Sequence, residues 1–377
     1  MTPTTPAVPS HCIPHPVPPS PSPGAQNPPI WPAPAEFVAA APSVGVQAIL
    51  DASALTLVCN GPQGACDSDA TGSVPAAFAR GKAWAFMVPT ADRTGATLTT
   101  VIVTVAAVSS LQFGVNESYT LAVNVTHAVI TAPTQWGALY GLESFFQLVL
   151  IEPWEVCPVC NKYVLRVDVP FTIHDTPRVQ WRGLMIDTGR HYLPPVVIKR
   201  AIDAMAASKL NALHWHLTDD QSFPVCLDAQ PDLCRLSQYH DHVTGAPQNY
   251  TSAVIRDIVE YATDRGVRIM PELDLPGHSV GLQRGAPALY TNCTSTHKLP
   301  DPTTDDFFQL IDSIVGELAT LFPDRHFHMG GDEVDTSCWT ENPAVVKWMA
   351  GKKLTAMGTL GYFQSRIQSI LASHRAR

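Results

Sequence analysis

The sequence predicts an α/β fold in which a parallel sheet of repeated βα units follows a small α+β domain. After residue 176, short apolar runs alternate with segments of helical periodicity. Polar residues gather just after each of these runs, a pattern typical of the open end of a βα barrel. Before residue 176, short β-type runs dominate and are separated by clusters of Gly, Asn and Asp.

Composition indicates a globular chain with room for two domains. The 377 residues are 45% hydrophobic and only 15% charged, which is enough apolar content for a sizeable core. The net charge of -9, without a basic stripe, argues against a nucleic-acid partner. No apolar run reaches the length of a membrane span.

We expect three segments along the chain. Residues 1–34 hold 13 of the 34 prolines and are expected to form an extended leader without a packed core. Residues 35–175 are predicted to form the α+β domain, with a β-type run at Ala83 to Val88 and an amphipathic helix from Trp136 to Ile151. Residues 176–377 are predicted to form about four βα units.

The strands and helices of these βα units follow from their periodicity. The predicted strands are Arg182 to Thr188, Leu213 to Thr218, Val267 to Leu273 and His326 to Met329. The predicted helices are Pro194 to Ser208, Ser252 to Arg265, Asp306 to Phe322 and Leu354 to Ser373.

The last of these strands runs into the sequence HFHMGGDEVDTSCW, in which two glycines precede Asp332 and Glu333. Two adjacent carboxylates in a dry cleft have their pKa values pushed apart, so one stays charged while the other holds a proton. That pairing suits glycoside cleavage, which needs a proton donor and a negative group beside one bond. A bare Asp-Glu pair is more often an exposed loop pair. The flanking glycines and strand favour the functional interpretation.

Other chemistry-bearing residues follow the first three strands. Arg190 presents a rigid fork of donors suited to sugar hydroxyls, although a surface ion pair is an equal alternative. His278, held by a Pro-Gly turn, can bridge Asp219 and Glu333 and so modulate the proton affinity of the glutamic acid.

His214 and His216 lie on one face of the second strand, which is also how a metal-binding His-x-His is built. A metal-dependent hydrolase needs further ligands on other strands. His278 could supply one, but no second histidine stands in a matching place after the third strand. We therefore expect no metal and no cofactor, and expect these histidines to bond carboxylates or backbone.

Cysteines and sequons indicate the secretory pathway. Nine cysteines occur with four N-x-Ser/Thr sequons, at Asn116, Asn124, Asn249 and Asn292. Local disulfides are expected for the pairs Cys59 with Cys66, Cys157 with Cys160 and Cys226 with Cys234. Cys12 stands alone in the leader, and an odd number of cysteines leaves at least one thiol without an intrachain partner. The N-terminus shows no signal peptide.

Four motifs in order, RGLMIDTGRHYLP, LNALHWHLTDDQSFP, RIMPELDLPGH and HMGGDEVDTSCW, resemble glycoside hydrolase family 20, specifically the eukaryotic β-N-acetylhexosaminidases. The resemblance covers roughly Ala35 to Arg377. It implies a (β/α)8 barrel that removes terminal β-linked GlcNAc or GalNAc from glycoconjugates. In this family the substrate's own acetamido oxygen attacks the anomeric carbon.

The resemblance also implies a role for each matching residue. Glu333 matches the general acid/base, and Asp332 matches the carboxylate that orients the acetamide. Asp219 and His278 match the pair that tunes Glu333. Substrate contacts are implied for Arg190, which matches the residue gripping the 3- and 4-hydroxyls, and are expected for His216 and Glu272. Cys293 and Cys338 match a disulfide that ties the third-strand loop to the fourth.

The sequence contains four of the eight units that the resemblance implies, so we expect a barrel truncated at its C-terminal end. Two functions are then open. The first is the hydrolase, in a lysosomal or extracellular setting, acting on a glycan substrate and able to form a homodimer. The second is an inactive relic that at most binds glycans weakly or associates with another chain.

Overall fold

We analysed a computed structural model, which describes residues 37–39, 48–66, 73–87, 97–151, 163–295 and 298–375. Ala35–Arg377 forms one compact unit. The proline-rich leader with Cys12, and the expected Cys157 with Cys160 pair, lie outside the described residues. No helix among the described residues is both long and apolar enough to cross a bilayer.

The N-terminal part is built on a six-stranded mixed sheet. Its strands and helices are β1 (Phe37–Ala39), β2 (Ile49–Leu50), β3 (Thr56–Asn60), α1 (Ser73–Ala85), β4 (Thr100–Ala107), β5 (Tyr119–Val123), β6 (His127–Thr134), α2 (Gln135–Gln147), β7 (Val149–Ile151), β8 (Tyr163–Leu165) and β9 (Phe171–Asp175). The sheet order is β1-β9-β5-β6-β4-β3, and β2, β8 and β7 form a separate small sheet. β4 pairs in parallel with β3 and β6, while the remaining pairs of the large sheet are antiparallel.

Helix α1 corrects one prediction. The β-type run expected at Ala83 to Val88 is wrong at its start, because Ala83 to Ala85 are the last residues of α1. Val74 and Phe78, one helical turn apart, are the buried side chains of this helix. The ring of Phe78 lies 5.6 Å from that of Phe146 on α2. This packing between helices decides the local structure.

The second part alternates strands with helices. Its elements are β10 (Gly183–Asp187), α3 (Pro195–Ala207), β11 (Ala212–Thr218), β12 (Val225–Cys226), α4 (Pro231–Ser237), β13 (Tyr239–His240), β14 (Pro247–Gln248), β15 (Tyr250–Thr251), α5 (Ser252–Thr263), β16 (Arg268–Leu273), α6 (Val280–Gly285), a 3₁₀ turn (Pro287–Leu289), α7 (Asp306–Leu321), α8 (Ser337–Glu341), α9 (Pro343–Lys352) and α10 (Ala356–Arg375). β10, β11 and β16 form a parallel sheet, with β11 in the centre.

The expected fourth strand, His326 to Met329, is wrong as a regular strand. It is reduced to a single parallel bridge between His328 and Glu272. Backbone hydrogen bonds still run alongside β16, since the His328 N–H donates to the Pro271 oxygen and the Leu273 N–H donates to the His328 oxygen. The segment therefore holds the position of a fourth strand without its regular pairing.

The two faces of β11 differ sharply in polarity. Leu213, Trp215 and Leu217 point to one face and are fully buried in the apolar core formed with the surrounding helices. His214 and His216 point to the other face, where they meet Glu272 of the neighbouring strand. Strand alternation thus places an ionisable cluster on the face of the sheet opposite to the apolar core.

A buried polar junction joins the two parts at the beginning of β10 and β11. Glu117 accepts hydrogen bonds from Arg182 Nη2 at 2.8 Å, Asn211 Nδ2 at 2.8 Å and the Tyr140 hydroxyl at 3.2 Å. These contacts lie at the end of the strands opposite to the loops described next.

Candidate active site

Four loops converge at the carboxyl ends of the parallel strands. Asp187 ends β10, Asp219 follows β11, and His278 lies in the loop after β16. Asp332 and Glu333 follow the bridge at His328. Because the carboxyl ends of parallel strands meet at one edge of a sheet, these side chains come together although up to 146 positions separate them in sequence.

The turn that carries the two acids packs directly against Asp274. Gly330 and Gly331 have φ angles of +58° and +102°, in the region that favours glycine. A Cβ on Gly330 would lie only 1.7 Å from Asp274 Oδ1. The same oxygen accepts the Gly331 N–H at 2.9 Å. The two glycines therefore allow the backbone both to turn sharply and to approach the Asp274 side chain closely.

Asp332, Glu333 and His278 form a cluster. One side-chain oxygen or nitrogen from each of the three lies within 4.8 Å of the others. Glu333 and His278 adopt φ angles of +52° and +49°, which are uncommon for residues with a side chain and concentrate at functional sites. The expected dry cleft is not formed by the described residues, since the Glu333 side chain is 79% exposed.

The structure assembles the three members of the expected relay. His278 Nε2 lies 3.5 Å from Glu333 Oε2, and His278 Nδ1 lies 3.4 Å from Asp219 Oδ1. Both distances exceed the 2.7–3.2 Å of ordinary N–H···O hydrogen bonds. Such contacts are often long before substrate binds. The order Asp219, His278, Glu333 is therefore present, in a loose form.

Asp219 is almost fully enclosed, and its surroundings favour the ionised form. Burial by itself would raise its pKa, but hydrogen bonds from His216 and from the Asp220 N–H, together with the Arg190 charge, hold the pKa below its usual range. Its carboxylate is therefore a fixed negative charge beside His278.

Arg190 lies at the rim of the cluster. Its Nη1 bonds Asp187 Oδ2 at 2.7 Å and its Nη2 lies 3.0 Å from Asp219 Oδ2. The side chain is 45% exposed, so part of the guanidinium faces the open side of the site. The ion-pair and sugar-binding interpretations are thus compatible, since Asp187 and Asp219 orient the Arg190 guanidinium without enclosing it.

His216 and Glu272, which we expected to contact substrate, are buried and bonded to each other. The substrate contact expected of them stays a prediction, and the described contacts point elsewhere, because each ring nitrogen of His216 already faces a carboxylate oxygen, on Glu272 and Asp219. Glu272 in turn also meets His214 Nε2 and His328 Nδ1. Burial alone would raise the pKa of Glu272, but the bonds from His214 and His216 hold it well below its usual range.

The same contacts bear on metal binding. His214, Glu272 and His328 offer donor atoms within 4.8 Å of one another, and His328 is a member of this group that no sequence pattern indicated. Direct ring-to-carboxylate bonds, such as that of 2.7 Å from His328 Nδ1 to Glu272, account for this grouping without an ion. A metal centre could be built on these residues, but their geometry does not require one.

Sequence reasoning missed Asp274 as a site residue. Its burial raises its pKa to about 6, opposed by the hydrogen bond from the Gly331 N–H. Its spacing could have indicated this role, because Asp274 stands two positions after Glu272 and so lies on the same face of the chain.

Three disulfides occur among the described residues: Cys59–Cys66, Cys226–Cys234 and Cys293–Cys338. The last ties the segment before residue 295 to α8, just after the acid pair. Of the sequon asparagines, Asn116 and Asn292 are exposed. Asn124 and Asn249 are half-buried, with their side-chain amides bonded to His127 and Gln238.

Comparisons with known proteins place this geometry in a family. Residues 179–377 match the profile described as "Glycosyl hydrolase family 20, catalytic domain", and residues 30–148 match one described as "beta-acetyl hexosaminidase like". Beta-hexosaminidase 3 of Arabidopsis thaliana is 36% identical over 71% of this chain and 49% of its own length. Beta-hexosaminidase 1 of the same plant is 34% identical over 94% of this chain and 65% of its own length.

A solved structure agrees with these sequence matches. The chitobiase of Flavobacterium johnsoniae superposes with a TM-score of 0.74 and 28% identity, over 91% of this chain and 50% of that protein. The chain thus spans about half to two thirds of the length of these relatives. By the matched profile and by these similarities, the chain belongs to glycosyl hydrolase family 20.

Proposed function

We propose that this chain takes part in hydrolysing terminal, non-reducing β-linked N-acetylhexosamine from glycoconjugates, with retention at the anomeric carbon. The observation that carries the proposal is the cluster of Asp332, Glu333 and His278 at the carboxyl ends of the strands, with Asp219 behind it. The names of the relatives, beta-hexosaminidases and a chitobiase, support the substrate class.

In this mechanism the sugar's acetamido oxygen attacks its own anomeric carbon, and no enzyme nucleophile is needed. Glu333 donates a proton to the leaving oxygen and later takes one from the attacking water. Asp332, its neighbour on the turn, orients the acetamide and stabilises the positive charge that develops on its nitrogen. Arg190 holds ring hydroxyls from the rim, and His278 with Asp219 adjusts the proton affinity of Glu333.

The open position of Glu333 sets the expected rate. A carboxylic acid in contact with bulk water gains less from fixed charges than one in an enclosed site. We therefore expect slow turnover of p-nitrophenyl β-N-acetylglucosaminide by the chain. Glu333→Gln should lower that turnover by about 10²–10⁴-fold, the usual contribution of general acid–base catalysis.

Glu260→Gln is the matched control, because Glu260 is an exposed glutamate on α5, away from the acid cluster. It should leave both turnover and stability unchanged. Turnover that persists in Glu333→Gln would contradict the assigned acid. Turnover that a chelator abolishes would favour the metal-dependent alternative.

The second candidate is the inactive relic, and the same exposure of Glu333 favours it. A folded chain that releases no p-nitrophenol, yet shows saturable binding of N-acetylglucosamine, would support this candidate over the hydrolase. Loss of that binding in Arg190→Lys would place the sugar at the same rim, since a lysine cannot reproduce the guanidinium fork.

The setting we propose is the secretory pathway, ending in a lysosomal or extracellular location. Three disulfides and the exposed asparagines of two sequons support it. The proposed organisation is a leader (1–34), an α+β domain (35–175) and a catalytic βα region (176–377). A homodimer is the proposed assembly, and sedimentation velocity at several concentrations tests it.

A further inference from the structure

We propose that His216 is a positioning residue for the acid relay: anchored by Glu272, it holds one oxygen of Asp219 and leaves the other for His278. This inference rests on the proposed function for its consequence in catalysis. Its structural content stands on the contacts of the buried side chains alone.

The contacts form one continuous series from the sheet to the open site. Glu272 Oε2 lies 3.0 Å from His216 Nδ1, and His216 Nε2 lies 2.9 Å from Asp219 Oδ2. The opposite oxygen of Asp219 accepts the Asp220 N–H at 2.7 Å and lies 3.4 Å from His278. Asp219 Oδ2 thus faces the buried His216 and, at 3.0 Å, the rim cation Arg190, whereas Asp219 Oδ1 faces the relay.

This geometry requires both ring nitrogens of His216 to carry a proton. A carboxylate only accepts hydrogen bonds, and a neutral imidazole has a single N–H. With a carboxylate oxygen at each nitrogen, only the imidazolium satisfies both contacts. Burial lowers the pKa of His216, but the bonds to Asp219 and Glu272 outweigh it and raise the pKa to about 10.

The surrounding charges are consistent with a fixed cation at this position. The carboxylates around the ring are Asp187 at the end of β10, Asp219 after β11, and Glu272 and Asp274 at the end of β16. Basic groups one contact further away are Arg190, His214, His278 and His328. His216 therefore sits among four acidic groups, and its loss would leave Asp219 and Glu272 without the cation between them.

The consequence concerns the acid side of the pH range. While His216 stays charged, Asp219 stays ionised and keeps a constant influence on His278. Without the cation, a buried carboxylate takes up a proton at higher pH, and His278 loses its negative partner as the pH falls. The role of His216 is thus to widen the pH range in which the relay keeps its charges.

The test is nuclear magnetic resonance of the full chain with nitrogen-15-labelled histidine. In the wild type, we expect both ring nitrogens of His216 to remain protonated at about pH 8, where an ordinary histidine is neutral. Glu272→Gln removes one of the two anionic partners and should lower the titration midpoint of His216 by about 1–3 pH units. His216→Gln should shift the ring signals of His278.

His374→Gln is the control, because His374 bonds one carboxylate, that of Asp312, at 2.8 Å, and lies between α10 and α7. It should leave the His278 signals unchanged. A neutral His216 ring near pH 7 in the wild type overturns the proposal. So does a His278 spectrum that Glu272→Gln and His216→Gln both leave unaltered.

Kinetics separate this proposal from the function on which it rests. If the chain is active, His216→Gln should move the acid limb of the pH–rate profile upward by about one unit, a tenfold loss at low pH, with near-normal rates above it. A uniform loss at all pH values would indicate a purely structural role and refute positioning. Absence of turnover in the wild type would contradict the proposed hydrolase, while the resonance measurement still decides the role of His216.

Discussion

Cys293 and Cys338 close a loop with a sequence separation of 45, beside the acid pair, whereas Cys226 and Cys234 close one with a separation of 8. The pairs are otherwise matched, since each joins one buried and one half-buried cysteine. We consider replacing both cysteines of each pair by alanine.

The chain-entropy relation gives the expected magnitudes. A disulfide removes about 2.1 + 1.5R ln n cal/mol/K from the unfolded chain, where n is the length of the closed loop. For separations of 45 and 8, this corresponds to about 4 and about 2.5 kcal/mol at 25 °C. Removing Cys293–Cys338 should therefore cost about 1.5 kcal/mol more than removing Cys226–Cys234, because the common loss of buried sulfur cancels.

The assay is guanidinium unfolding followed by tryptophan fluorescence. Trp339 reports directly on the longer loop, since it is fully buried and adjacent to Cys338. Equal free-energy losses for the two double variants, or a larger loss for the shorter loop, would refute the entropic reasoning. In that case strain or residual structure in the unfolded chain would dominate.

Two further predictions concern Asp274 and the turn above it. Gly330→Ala should destabilise the protein by about 1–3 kcal/mol in thermal or denaturant unfolding, because its Cβ would overlap Asp274 and its φ is +58°. The control is Gly351→Ala, in an open position on α9, which should be neutral or stabilising. An equal loss of stability at both glycines would contradict the reasoning. Asp274 has a folded pKa of about 6, above its unfolded value of about 3.9, so its contribution to stability is lost as pH rises through that interval. The free energy of unfolding of Asp274→Asn, relative to the wild type, should therefore be higher at pH 7 than at pH 4, by up to about 3 kcal/mol. If this relative stability does not depend on pH, burial is not the cause of the raised pKa.

The elements with strong periodicity could be predicted from sequence. β10 and β11 lie within one residue of the predicted strands, Arg182 to Thr188 and Leu213 to Thr218, because the apolar runs that predicted them are the runs that pair in the sheet. α1 was partly mistaken for a strand because its two buried side chains, Val74 and Phe78, give a weak local signal. Its helical state depends on packing against α2.

Part of the candidate site could likewise be predicted from the sequence, and part could not. The closeness of Asp219, His278 and Glu333 could be predicted because each follows an apolar run of the sequence, although the run before Glu333 forms only a single bridge. The burial of His216 and Glu272 could not be predicted, since alternation gives the face of the strand on which a side chain lies but not the groups that it contacts there. The contact of His328 with Glu272 depends on an irregular bridge whose direction no local pattern specifies.

The polar junction around Glu117 has a consequence for how this protein tolerates change. Arg182 and Asn211 direct their donors to Glu117, so residues 176–377 expressed without residues 35–175 would leave these donors without that acceptor. Substitutions at this polar junction should therefore lower folding yield and expression. The acid cluster at the opposite ends of the strands should keep its side-chain geometry in the protein that does fold.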